Sequence, residues 1–356
     1  MQYLRLLLLP FSLVYGCVIW IRNFLYDTGI FTSSKFNLPI ISIGNLAIGG
    51  AGKSPMAEYI VRLLKDRYRV AILSRGYKRT TKGFRIVDKN DTFAQVGDEP
   101  LQFKRKFSNV TVAVSEKRVE GIERLKEDTD VIILDDAFQH RAVKPGLSIL
   151  LFDYTRLNDF FLMLPAGNLR EPFANRKRAD ILVVSKCPES LSEAQKGAMK
   201  TRINPFKYQN LFFSYLEYGN LISIALSSEQ PLSVITPQTT VFLLTGIANP
   251  VPLLNKVESF TEKVIHHDYP DHYTFSTKNI AKLAEEFHTY KSPQKLIVTT
   301  EKDSQRLQVP ALLELLKDLP VYYLPVTAKI HQPDDENFNN LIEAYVTKHI
   351  QHHRVH

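Results

Sequence analysis

Cysteine is nearly absent from this chain: its 356 residues include two, Cys17 and Cys187. Two thiols cannot build a disulfide framework or a four-ligand zinc site, and such sparse use suits a reducing compartment. Internal repeats, heptad arrays and low-complexity tracts are missing as well. With 44% hydrophobic and 23% charged residues, the composition excludes disordered and collagen-like classes. Long apolar runs are scarce. A mean hydropathy of −0.14 excludes a polytopic membrane protein and leaves room for one membrane-touching segment. Acidic residues fall short of basic ones, 37 against 45, for a formal net charge of +8. That surplus favours an anionic partner: nucleic acid, a phosphorylated substrate or an acidic membrane. At roughly 100–200 residues per domain, the length implies two domains or three.

The one long apolar run is Leu6–Ile21, LLLLPFSLVYGCVIWI, uncharged between Arg5 and Arg22. As a helix it would measure about 24 Å, short of the roughly 20 residues that cross a bilayer. No small-x-small site follows it, which argues against a cleaved signal peptide. Arg5, Ser12, Gly16 and Asn23 fall near one line of a helical wheel, a narrow polar stripe. Tyr15, Trp20, Phe24 and Tyr26 supply interfacial aromatics. Residues 1–34 are therefore expected to form a membrane-associated helix.

After Lys35 short β-branched runs alternate with helical stretches. Leu38–Ile43, Arg69–Leu73, Val110–Val114, Val131–Leu134, Leu147–Phe152 and Ile181–Val184 are continuous rather than alternating, as in strands buried on both faces of a parallel sheet. Helical patterns at Pro55–Tyr68 and Glu116–Lys126 complete a doubly wound α/β domain, residues 35–225. The polar region Asn210–Pro237 reads as irregular and holds the boundary. Beyond it Val241–Leu244, Lys295–Thr299 and Val321–Leu324 predict a smaller α/β unit, residues 226–356. The terminal HIQHHRVH reads as a solvated end.

The most informative stretch is Ile41–Tyr59, ISIGNLAIGGAGKSPMAEY. A buried strand runs into a glycine-rich turn and then a helix, the context that makes a Walker A match credible. Ile48, Gly49, Gly50, Ala51 and Gly52 would wrap phosphate with backbone N–H groups, at a helix N-terminus that Pro55 tolerates. Lys53 would reach the β- and γ-phosphates, and the Ser54 hydroxyl would meet Mg²⁺. Ala47 stands where the strict pattern has glycine. Asp130–Asp136, DVIILDD, is an apolar strand ending in two carboxylates, the Walker B layout in which Asp135 or Asp136 helps hold the metal. His140 lies just past that strand end. A guanine-reading N-K-x-D and a transporter signature are both missing. What remains is a kinase for a small or lipid acceptor, which needs a base and cationic clamps.

Eight motifs in order carry a resemblance: GNLAIGGAGKSP (Gly44–Pro55), LSRGY (Leu73–Tyr77), GDEP (Gly97–Pro100), LDDAFQH (Leu134–His140), LPAGNLREP (Leu164–Pro172), GIANP (Gly246–Pro250), DHYTF (Asp271–Phe275) and TEKD (Thr300–Asp303). Together they resemble the tetraacyldisaccharide 4′-kinase family. Asn168 replaces a proline common in relatives, which bears on loop stiffness.

The resemblance implies a P-loop NTPase-type α/β/α domain, a smaller second α/β/α domain across a cleft, and an N-terminal helix at the cytoplasmic face of the bacterial inner membrane. It implies ATP and Mg²⁺ as cofactors. The γ-phosphate would pass to the 4′-hydroxyl of tetraacyldisaccharide 1-phosphate, giving lipid IVA in lipid A biosynthesis. It makes Asp98 the base and His272, from the second domain, its partner, with Lys53 on the phosphates and Glu99 assisting at the metal. Arg75, His140, Asn168 and Arg170 become candidates for substrate contacts. The partners implied are the glycolipid and the inner membrane surface, without nucleic acid or an obligate protein partner. A membrane-attached nucleotide switch without catalysis is the alternative; it would need the P-loop but neither Asp98 nor His272.

Overall fold

The computed structural model describes residues 5–225 and 228–354, the side chains of 352–354 excepted. The terminal His352, His353 and His356 side chains lie outside that description. Two sheets organise the chain. The larger has nine strands, in the order Val326–Ile330, Asn210–Tyr218, Ile181–Ser185, Leu147–Asp153, Ile40–Asn45, Val131–Leu134, Val70–Ser74, Thr111–Val114 and Arg85–Ile86. The seven inner strands are parallel, and both edge strands run antiparallel. The strands Ile40–Asn45, Val70–Ser74, Val131–Leu134 and Ile181–Ser185 are buried along their whole length, as their unbroken apolar runs require. Each fully buried Ile, Val or Leu contributes about 1.5–3 kcal/mol.

The smaller sheet has six strands, in the order Glu229–Gln230, Leu221–Ser223, Val321–Leu324, Lys295–Thr300, Thr240–Thr245 and Val264–Asp268. Its last four are parallel. A separate core around Phe242, Leu244, Ile280, Leu283 and Ile297 holds it together.

The observed lobes depart from the expected partition. Asn210–Tyr218 is a strand, not an irregular boundary. It pairs in parallel with Ile181–Ser185 and antiparallel with Val326–Ile330. Hence residues 326–354 do not belong to the small lobe as the 226–356 division expected. The chain returns to the first lobe, where Phe338, Ile342 and Val346 of the closing helix Asp335–Arg354 enter the main core. Tyr345 seals the return through its hydroxyl, which accepts from Ile40 N at 3.0 Å.

In a parallel sheet the carboxyl ends share one edge, and ligands bind there at the switch of strand order. That edge of the large sheet carries Asn45, Ser74 and Asp135; the matching edge of the small sheet carries Thr245, Asp268 and Thr300.

The N-terminal helix continues past the predicted run, from Leu9 to Asp27 with a short 3₁₀ turn before it. Its polar stripe faces the protein. Ser12 and Asn23 are 5% and 6% exposed, while Leu13, Val14 and Trp20 are 74%, 66% and 61% exposed. Both cysteines are free.

Candidate active site

The phosphate loop leaves the strand Ile40–Asn45 and enters the helix Lys53–Leu64. Gly52 takes φ +76°, a left-handed turn that an L side chain adopts only with strain. The loop's carbonyls are taken up by protein donors. Arg156 Nη1 donates to Ile48 O at 2.7 Å, Ser185 Oγ to Ala51 O at 2.7 Å, and Asn45 Nδ2 to Ala47 O at 2.8 Å. The loop's N–H side is thereby left for a ligand's oxygens. Two of the expected amides are already engaged, however: Ile48 N donates to Asn168 O and Ala51 N to Gly49 O. Ala47, where the strict pattern has glycine, forms an antiparallel bridge with Leu169.

Asn45 is the hub of this half. Its Oδ1 accepts from Lys53 Nζ at 3.2 Å and from Arg170 Nη2 at 2.6 Å. Arg170 also pairs with Asp136 at 3.0 Å, and Lys53 stands 3.7 Å from the same carboxylate. Burial pushes the Asp136 carboxyl up, but Lys53 and Arg170 outweigh it and hold the group below its usual range. Asp136 adopts φ +47°, a conformation tolerated best by Asp, Asn and His.

Asp135 is different. Burial, with the Glu99 and Asp136 charges, pushes its carboxyl up to about 7, only partly offset by Lys53 and a hydrogen bond from Ser74. Its buried Oδ1 has no hydrogen-bond partner. An orphaned carboxylate oxygen crowded by two other acids is an environment that a divalent cation relieves. Among the described residues no group of three or more His, Cys, Asp or Glu forms a ready metal cage.

The second half of the cleft comes from both lobes. Gly97, at φ +95°, turns the chain so that Asp98 and Glu99 open the helix Asp98–Lys106, where negative charge suits the helix dipole. Asp98 is buried. Its Oδ2 accepts from His272 Nδ1 at 2.9 Å and from Arg306 Nε at 3.0 Å, with a further short bond from Arg306 Nη2. Burial alone would raise the Asp98 carboxyl. The hydrogen bond from His272 and the charges of Lys302 and Arg306 reverse this and hold it well below the ordinary carboxylate range. Lys302 Nζ donates to His272 Nε2 at 3.1 Å and to Glu99 Oε1 at 3.1 Å. With Nε2 accepting, Nδ1 carries the proton and points it at Asp98. His272 is held at φ +57° by its own N–H on Gly246 O at 3.0 Å. Gly246 O also accepts from Arg306 Nη1 at 2.9 Å, and Gly246 N donates to Asp303 Oδ2 at 3.0 Å. The GIANP, DHYTF and TEKD motifs thus meet at one point, with Arg306 and Asp303 binding them together.

The remaining expected residues separate. Arg75 is exposed beside the site. His140 is half-buried, and burial with Arg118, Arg22 and Arg75 pushes its imidazole down to about 4, so it is neutral at pH 7. Asn168 bridges the phosphate loop and the N-terminal segment: its carbonyl accepts from Ile48 N at 2.8 Å and its Oδ1 from Arg5 Nη1 at 3.0 Å. Arg170 is committed to Asn45 and Asp136. Sequence reasoning missed Asn45 and Arg306. The signal for Asn45 was its place as the last residue of the P-loop strand; Arg306, three residues past TEKD, carried none.

A nucleotide loop on one lobe, facing a carboxylate whose imidazole and guanidinium partners come from the other, defines a two-lobed P-loop enzyme. Neither lobe holds the whole site. Comparison with known proteins narrows this class. A family model for tetraacyldisaccharide-1-P 4′-kinase (LpxK) matches residues 4–347. A tetraacyldisaccharide 4′-kinase from Bacteroides thetaiotaomicron is 44% identical over 353 residues, covering 95% of this chain and 92% of that protein. One from Flavobacterium johnsoniae is 39% identical, covering 99% and 100%. The crystal structure of LpxK from Aquifex aeolicus in complex with ATP superposes with a TM-score of 0.73 at 32% identity, covering 96% of this chain and 99% of that one. The chain belongs to the tetraacyldisaccharide-1-P 4′-kinase family.

Proposed function

We propose that this protein transfers the γ-phosphate of ATP to the 4′-hydroxyl of tetraacyldisaccharide 1-phosphate, giving lipid IVA in lipid A biosynthesis. The observation that carries the reading is the hydrogen bond between Asp98 and His272 across the two lobes, beside the phosphate loop. A nucleotide switch needs no such pair.

In this reading Lys53 and the amides of Gly49, Gly50 and Gly52 hold the β- and γ-phosphates. Ser54, Asp135, Asp136 and Glu99 are the groups that would take Mg²⁺, which when bound neutralises charge on the phosphates. Asp98 accepts a hydrogen bond from the 4′-hydroxyl. As the 4′-oxygen bonds to phosphorus, the bond to the β–γ bridging oxygen breaks, ADP departs, and the hydroxyl proton passes to Asp98. The depressed basicity of Asp98 is compatible with this. A loose phosphoryl-transfer transition state leaves the hydroxyl proton in place until late, so the base chiefly orients the nucleophile. His272 and Arg306 fix the carboxylate. Arg75, exposed beside the site, is the guanidinium offered to substrate phosphate.

The N-terminal helix, Leu6–Asp27, is long and apolar enough to cross a membrane, with only 11% of its apolar window buried. Its contacts with the lobe run from Arg5 through Ser12, Tyr15 and Arg22 to Asp27. A helix docked along its whole length on a polar lobe lies in the bilayer surface, with Leu13, Val14, Val18 and Trp20 towards lipid. The cytoplasmic face, where ATP is available, completes the proposal. The large lobe, residues 35–218 with 326–354, is the kinase core, and residues 221–324 close the cleft.

The test is direct. Purified protein is incubated with ATP, Mg²⁺ and the disaccharide lipid in detergent, and phosphorylated lipid is measured. Product from the wild type, abolished in Asp98→Ala with ATP binding retained, is the expected result. No product under conditions where ATP binds rejects the reading.

A further inference from the structure

We infer that the membrane helix is wired into the nucleotide site, and that Tyr15 and Arg5 are positioning residues for the phosphate loop. The segment Met163–Arg170 is packed between the two. On the helix side, Arg5 donates to Pro165 O at 3.0 Å, Gly167 O at 2.6 Å and Asn168 Oδ1 at 3.0 Å. Ser12 Oγ donates to Met163 O at 3.1 Å and accepts from Ala166 N at 2.9 Å. The Tyr15 hydroxyl donates to Arg170 O at 3.1 Å.

On the loop side the same residues hold the phosphate machinery. Asn168 O accepts from Ile48 N at 2.8 Å, and Arg170 N donates to Leu46 O at 2.7 Å. The Arg170 side chain ends on Asn45 Oδ1 and Asp136, the two groups that also hold Lys53. An amide oxygen has two lone pairs, so Asn45 Oδ1 is filled by Lys53 and Arg170 together. A shift of Arg170 therefore moves the acceptor that orients the P-loop lysine. A third route runs through Arg22, which donates to Gln139 O at 2.6 Å, while Gln139 Nε2 donates to Asn45 O at 2.8 Å.

Three separate hydrogen-bonded routes thus join one helix face to Asn45 and Ile48. An anchor alone needs no such polar wiring, since its hold on lipid comes from the opposite, exposed face. The seating of the helix biases the order of the phosphate loop, and with it the affinity for ATP.

This rests on the proposed kinase reading only for ATP as the ligand, and its readout does not need the lipid. Equilibrium binding of ATP is measured on the full-length protein in detergent micelles. Tyr15→Phe, which removes one hydroxyl, is expected to weaken ATP binding about three- to tenfold, the worth of one hydrogen bond. Arg170→Lys weakens it too, and adding Tyr15→Phe to that variant costs less than it does in the wild type, because part of the tyrosine's effect runs through the Arg170 side chain. Partition onto phosphatidylethanolamine–phosphatidylglycerol vesicles stays at the wild-type level in Tyr15→Phe, as does the KM for the lipid. Unchanged ATP affinity in both Tyr15→Phe and Arg5→Met overturns the inference. So do effects of Tyr15→Phe and Arg170→Lys that simply add, or a loss of vesicle binding in Tyr15→Phe. A protein that binds ATP but phosphorylates no lipid rejects the kinase reading and leaves this measurement decisive on its own.

Discussion

The two sides of the cleft are built on opposite plans. On the phosphate side, Asn45, Lys53, Asp136 and Arg170 lie within one lobe and already bond to one another. On the acceptor side, Asp98 comes from the first lobe, while His272, Lys302 and Arg306 come from the second. The phosphate side is a preformed receptor for a group that is the same in every ATP. The acceptor side exists only while the lobes are together, so Asp98, the group we propose engages the 4′-hydroxyl, is oriented only in the closed cleft. Such an arrangement restricts transfer to water before the cleft closes on its acceptor.

The comparison predicts that substitutions on the two sides fail differently. The largest effect belongs to the phosphate side. Lys53→Met should lower both ATP affinity and lipid phosphorylation, the latter by on the order of 10²–10³-fold, the cost of removing one charge-stabilising donor; titration of ATP binding alongside turnover checks it. Next comes Arg306→Lys, which keeps a charge in the second lobe but loses the paired donors on Asp98. We expect about a tenfold loss in kcat with ATP affinity intact. Because Arg306 helps hold the Asp98 carboxyl down, the variant's carboxyl rises, and the acid limb of its kcat/KM profile moves to higher pH. A profile that does not move would detach Arg306 from the base.

A smaller effect concerns how the lobes are held. Lys106 bridges Glu58 at 2.7 Å and Glu301 at 2.8 Å, tying the P-loop helix to the second lobe. Burial, then the Glu58 charge, push Glu301 up to about 7. A carboxyl raised in the fold leaves the folded protein holding more protons than the unfolded chain. Its contribution to stability is full below the unfolded value near 4.3 and is lost as pH rises through about 7. Glu301→Gln should therefore gain in melting temperature relative to wild type between pH 5 and pH 8. A difference independent of pH contradicts the shift.

The phosphate side was legible in the sequence because its residues are contiguous: glycine turn, lysine and serine occupy seven positions, and the carboxylate pair ends a recognisable strand. The acceptor side was legible only through resemblance, since Asp98 and His272 are brought together by the packing of two lobes. Arg306 escaped altogether, as a buried arginine in a helix reads like any surface cation. The strand Asn210–Tyr218 looked irregular because its outer partner, Val326–Ile330, arrives more than a hundred residues later. The polar stripe on the N-terminal helix was read correctly as a stripe, but a helical wheel does not say what the stripe faces. Here it faces the protein, and the apolar remainder of the helix is left exposed.

The most direct test of a site assembled across the cleft is the variant His272→Gln, measured for ATP affinity and for single-turnover transfer to the lipid. The account predicts ATP binding equal to wild type with transfer reduced on the order of 10–100-fold, the loss of a positioned partner to the base. Transfer at the wild-type rate, or ATP affinity lost in step with transfer, would contradict it.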